Sequence, residues 1–88
     1  MKVVNLRKEK YDAYIGRGSL FGNPFPISKE NSRQKVIEDY RQWFYNNLKD
    51  HVFKAEVEKL RGKTLGCYCK PLACHGDIIV EFLENSRE

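Results

Sequence analysis

The spacing of apolar and polar positions changes along the chain, and each change marks an element. Val3-Val4-Asn5-Leu6 and Ala13-Tyr14-Ile15 are short apolar runs closed by polar or glycine positions, and they predict two short strands. From Gly16 to Ser28 no regular period survives. Gly16, Gly18, Gly22, Pro24 and Pro26 fall there and predict a loop. Leu20, Phe21 and Phe25 in the same stretch predict that the loop is pinned to the core. Val36, Ile37, Tyr40, Trp43, Phe44 and Leu48 then recur at the spacing of one helix face. Asn31 with Gln34 reads as the capping box of that helix. Asp50 caps a second helix, with Phe53, Val57 and Leu60 on its apolar side and Gly62 as its stop. Lys63 to Cys69 predicts the last strand, broken by Pro71. A final helix is expected from about His75 to Asn85, with Ile78, Ile79, Phe82 and Leu83 turned inward.

The order β-β-α-α-β-α is that of an α/β protein. Helices between the early strands and the last one favour a crossover and a short, at least partly parallel sheet. The expected architecture is a small Rossmann-like arrangement in two or three layers. The N-terminal strand and the cysteine strand are then neighbours. Ligands in such sheets sit beyond the C-terminal strand ends. Eighty-eight residues suit one domain, and residues 1–88 are read as such.

Composition narrows the classes. With 41% hydrophobic and 32% charged residues the chain has globular composition, which argues against disorder. Apolar runs such as Ile78-Ile79-Val80 fall far short of the ~18 residues of a membrane span, so no membrane partner is expected. The first residues carry no apolar leader, and the expected location is the cytoplasm of a bacterium or an infected host. Cys67, Cys69 and Cys74 are an odd set in a reducing compartment, so a disulfide framework is not expected. The formal charge is +4. The excess sits in residues 1–20, with Lys2, Arg7, Lys8, Lys10 and Arg17 against Glu9 and Asp12. That suits an anionic partner: a phosphate, a nucleotide or nucleic acid.

The chemistry concentrates in two stretches. The first is Gly66-Cys67-Tyr68-Cys69-Lys70-Pro71-Leu72-Ala73-Cys74-His75-Gly76-Asp77. It supports three readings. Cys67, Cys69, Cys74 and His75 make a possible ligand set for zinc, although the spacing is not a common zinc signature. Cys74, at the start of a helix and beside His75, is a candidate nucleophile with a neighbouring base. His75, Gly76 and Asp77 can present free N–H groups to an anion at that helix start. Against these stands the plainer reading of buried core cysteines and a dipole-favoured Asp77. The second stretch joins Asn5 and Arg7 to the loop from Tyr14 to Phe25. Arg17 between two glycines offers a fork of donors suited to phosphate or carboxylate. Asn23, held extended before Pro24, and Asn5, at a strand end, are candidate polar readers. The alternative is a structural loop plugged by Phe21 and Phe25. The aromatic residues from Tyr40 to Tyr45 are read as core and His51 as surface.

Together these motifs resemble one uncharacterised family. They are Val3-Val4-Asn5-Leu6-Arg7, Tyr14-Ile15-Gly16-Arg17-Gly18-Ser19, Gly22-Asn23-Pro24-Phe25, Leu60-Arg61-Gly62-Lys63, Gly66-Cys67-Tyr68-Cys69-Lys70-Pro71 and Cys74-His75-Gly76-Asp77. The family is the domain of unknown function 4326 family, small proteins of phages and bacteria. The likeness covers about residues 3–83, with Tyr68 where many members carry Trp. It implies a composite site built from both stretches, with recurrent polar positions at Asn5, Arg7, Arg17, Asn23, Cys67, Cys69, Cys74, His75 and Asp77. It implies no activity.

The leading expectation is a pocket for a phosphate-bearing small molecule, a nucleotide or ADP-ribose-like ligand, with no cofactor. Arg7 and Arg17 would hold charge, the helix start at His75-Gly76 a phosphate, and Asn5, Asn23 and Asp77 polar groups. Cys67 and Cys69 would line the pocket. The alternatives are a zinc-stabilised module for nucleic acid and a small enzyme with Cys74 as nucleophile.

Overall fold

Burial marks β3 as the centre of the sheet. Leu65, Gly66 and Cys67 in the strand Thr64–Cys67 are all buried, which a strand achieves only with neighbours on both edges. The computed structural model describes residues 1–26, 28–30, 32–70 and 72–85. β1 (Lys2–Asn5) and β2 (Ala13–Tyr14) flank β3 in the order β1-β3-β2. Both pairs are parallel. Lys2 lies opposite Thr64 and Asn5 opposite Cys67. Ala13 lies opposite Leu65 and Tyr14 opposite Gly66.

The helices are α1 (Arg33–Asn47), α2 (His51–Glu58) and α3 (Gly76–Asn85). Asn31 and Pro71, expected to cap α1 and to break the last strand, lie outside the described residues. Ser32 caps α1, its hydroxyl accepting from the Lys35 N–H at 3.2 Å. Asp50 caps α2 as its sequence position suggests, accepting from Val52 and Phe53. Gly62 ends that region in the left-handed conformation (φ 82°), which costs glycine little. β3 stops at Cys67 rather than running to Cys69.

The parallel sheet and the helical crossover from β2 through α1 and α2 to β3 match the expected α/β class. The first connection differs from a Rossmann-like unit. β1 passes to β2 by a loop that crosses β3. Gly66 makes the crossing possible: a Cβ there would lie 2.6 Å from the Tyr11 ring. Asp12 anchors the loop, its N–H donating to the Thr64 carbonyl and its carboxylate accepting from the Thr64 N–H, each at 2.8 Å.

The core gathers Tyr40 and Phe44 from α1, Phe53 and Val57 from α2, Ile79 and Leu83 from α3, and Ile15 and Leu65 from the sheet side. Phe21 is buried with them, and its carbonyl accepts from the Tyr40 hydroxyl at 2.8 Å. The glycine-rich loop is therefore pinned, as its aromatic residues predict. Among the described residues no helix is long and apolar enough to cross a membrane.

Arg41 and Tyr45 of α1 both donate to the Glu81 carboxylate of α3. The Arg41 hydrogen bond, followed by that of Tyr45, holds the Glu81 carboxyl below its usual range. A depressed carboxyl pKa stabilises the fold above the unfolded value and loses that contribution as pH falls through the folded one. Glu81 is partly exposed, so solvent screening keeps the contribution to about 0.5–1 kcal/mol. In urea unfolding at about pH 7, Glu81→Gln should lower stability by that amount. The gap to the parent should narrow as pH falls below the ordinary carboxylate range and the folded-state carboxylate is protonated.

Candidate functional site

Parallel pairing in register brings all three strand ends to one edge of the sheet. Asn5 and Cys67 close β1 and β3 side by side, and Tyr14 closes β2. The glycine-rich loop after Tyr14 and the cysteine loop after Cys67 leave from this edge together.

Cys74 starts α3. Its carbonyl accepts from the Asp77 N–H at 3.0 Å and its sulfur from the Gly76 N–H at 3.3 Å. Asp77 returns the contact, its carboxylate accepting from the Cys74 N–H at 3.2 Å. This is a capping box with sulfur as the cap. The N–H groups of Gly76 and Asp77 are thereby engaged within the protein. The Asp77 carboxylate also holds the Lys70 ammonium at 2.6 Å. Gly76 faces the sheet: a Cβ there would lie 2.6 Å from Ile15 Cδ1 and 3.0 Å from Val3 Cγ2.

His75 is buried and its Nε2 lies 2.6 Å from the Ile15 carbonyl. A carbonyl only accepts, so Nε2 carries the proton. Burial holds the ring's pKa below its ordinary value, which leaves Nδ1 bare. That nitrogen lies 3.6 Å from the Cys74 sulfur. On its other side Cys74 lies 2.8 Å from the Cys67 sulfur. The contact with Cys67, then burial, pushes the Cys74 thiol up. The same contact, ahead of the backbone of Cys69 and Lys70, brings the Cys67 thiol down. Of the two, Cys67 is the thiol that ionises first. The Cys69 sulfur joins them, all three lying within 4.8 Å of one another.

These thiols form one wall of a cavity of about 230 Å³. Of the residues singled out in the sequence, Arg17, Asn23, Cys67, Cys69, Cys74 and His75 line it. Asn5, Arg7, Gly76 and Asp77 do not. Asn5 braces the cysteine loop instead, its side-chain amide donating to the Lys70 carbonyl at 2.8 Å while its oxygen accepts from the Arg7 N–H at 2.9 Å. The Arg7 guanidinium stacks on the Tyr68 ring, 5.1 Å from its centre. Tyr68 itself is a cavity wall, so Arg7 supports the site from behind it.

The cavity also holds Tyr14 and Phe25, which the sequence reading placed in the loop motif without a ligand role, and Arg33, which it passed over. Arg33 was detectable in principle. It opens α1, where the helix dipole favours an acidic side chain, and α1 has none in its first turn. Its guanidinium donates to the Ala73 carbonyl at 3.1 Å, tying α1 to the cysteine loop across the cavity mouth.

The family model described as Domain of unknown function (DUF4326) matches residues 2–85. The chain belongs to DUF4326. One relative is the "Uncharacterized 12.4 kDa protein in nrdA-td intergenic region" of Enterobacteria phage T4. It is 41% identical over 85 residues, which span 96% of this chain and 78% of the phage protein. No solved structure matches this DUF4326 chain significantly.

The packing of Gly76 has a direct test. In Gly76→Ala the added methyl meets buried Ile15 and partly buried Val3, and the overpacking should cost about 1–3 kcal/mol in urea unfolding. Gly18→Ala, with nothing within 4 Å of the added methyl but a left-handed φ of 91°, should cost less, about 1 kcal/mol.

Proposed function

We propose that the chain binds a small phosphate-bearing molecule of nucleotide or ADP-ribose type in the cavity between the glycine-rich loop, the start of α1 and the cysteine loop. One observation carries this reading. Two arginines, Arg17 and Arg33, line the cavity from separate elements, beside the aromatic residues Tyr14, Phe25 and Tyr68 and the polar Asn23, the cysteines and His75. Guanidinium forks suit phosphate oxygens, and aromatic walls suit a flat base. The position agrees with the general rule for parallel sheets, in which ligands sit outside the carboxyl ends of the strands.

Size limits what is enclosed. Sites for drug-sized ligands run to about 300–1,000 Å³. A cavity of about 230 Å³ encloses one ring-bearing part of such a ligand and leaves its phosphates at the rim. Arg17 is exposed, in keeping with a rim position. The engaged N–H groups of Gly76 and Asp77 shift the phosphate contact from the start of α3 to these two arginines. The reading assigns binding and no catalytic step.

Isothermal titration calorimetry against inorganic phosphate, AMP, ADP and ADP-ribose tests it. A nucleotide-type compound should bind one per chain and more tightly than phosphate alone. Arg17→Ala and Arg33→Ala should each weaken it about 10- to 100-fold, the worth of a charge-assisted hydrogen bond. Lys59→Ala, on the outer side of the molecule, should change nothing. Failure of every compound to bind, or full affinity in both arginine variants, would overturn the assignment.

A further inference from the structure

The three thiols are brought together by three separate parts of the chain. Cys67 ends β3, Cys69 follows it in the loop, and Cys74 caps α3. Their sulfurs are spaced from 2.8 Å, for Cys67 and Cys74, to no more than 4.8 Å. Two thiolates on a tetrahedral zinc ion, each with a Zn–S bond of about 2.3 Å, lie about 3.8 Å apart, within that interval. None of the three is in a disulfide.

The surroundings of the sulfurs point the same way. The Gly76 N–H donates to the Cys74 sulfur. Hydrogen bonds from amides to sulfur stabilise a ligating thiolate and orient it, as outer-shell partners do at metal sites generally.

His75 does not complete a four-ligand set. Its Nε2 is taken by the Ile15 carbonyl, and its ring nitrogens fall outside the group of mutually close ligand atoms. The open side of the sulfur triangle is the cavity, which all three cysteines line. Three protein ligands with one free position is the arrangement of zinc sites that exchange an outside ligand, while structural sites are closed by four.

We propose that Cys67, Cys69 and Cys74 form a three-thiolate site for one zinc ion, with its fourth position open to the cavity. The site goes beyond the nucleotide reading and does not depend on it. On loading, each ligating thiol releases its proton to solvent as the Zn–S bond forms, so metal affinity should rise with pH.

The probe is zinc alone, added in one equivalent to reduced full-length protein. Native mass spectrometry should show one zinc per chain. Iodoacetamide should alkylate Cys69, the partly exposed thiol, in the metal-free protein and react with it at least tenfold more slowly once zinc is bound. Cys69→Ser, in the loop beyond β3, should keep the fold and lose at least tenfold in zinc affinity. In the cobalt(II)-loaded protein, the thiolate-to-cobalt band should drop by about a third in that variant, one ligand of the three. Adding imidazole to the wild-type cobalt form should shift its visible bands, because the fourth position is open. Reduced protein that stays metal-free, with alkylation rates unchanged by zinc, would overturn the site. Cobalt bands indifferent to imidazole would overturn the open position, whatever the outcome of the nucleotide titrations.

Discussion

Two parallel hydrogen-bond ladders, one on each side of β3, decide where the reactive side chains end up. Parallel strands put their carboxyl ends on the same edge, and the in-register pairing of Asn5 with Cys67 and of Tyr14 with Gly66 keeps those ends level. Everything chemically distinctive leaves the sheet there: the glycine-rich loop, the cysteine loop and the start of α3. Moving β3 by one residue would turn Cys67 to the opposite face and separate it from Cys74. The thiol cluster is therefore a product of sheet register as much as of cysteine spacing.

The helices were legible because their apolar period is long and their caps are local. Asp50 and Gly62 bound the second helical region with the residue types that such positions favour. The cap of α1 is Ser32, at a point where the sequence offers two cap-competent residue types in a row. The end of β3 was less legible. Cys69 continues the alternation of Cys67, so pattern alone extends the strand. Yet β1 offers its last paired position at Asn5, opposite Cys67, and β2 ends sooner. Strand length depends on partners, which periodicity within one segment does not contain.

The site divides in the same way. Arg17, Asn23 and the cysteine-histidine group stood out in the sequence and meet in one cavity. Asn5 and Asp77 stood out equally, and their polar atoms serve the backbone of the cysteine loop and of α3. A side chain that caps a helix and one that holds a ligand use the same acceptors and donors. Residue type does not separate the two roles; the direction of the side chain does. Arg33 is the converse case, an ordinary helix residue by type that reaches the cavity because α1 begins beside the Ala73 carbonyl.

The brevity of β2 has a consequence for how the molecule meets copies of itself. Sheet edges recruit further strands when they are long enough to template a ladder. β2 offers two residues, and Gly16 and the pinned loop follow at once. On the other side, β1 runs for four residues from an exposed Lys2. Strand-by-strand growth has little to start from at either edge, which protects a small, parallel and slow-pairing sheet at the high concentrations of crowded cells.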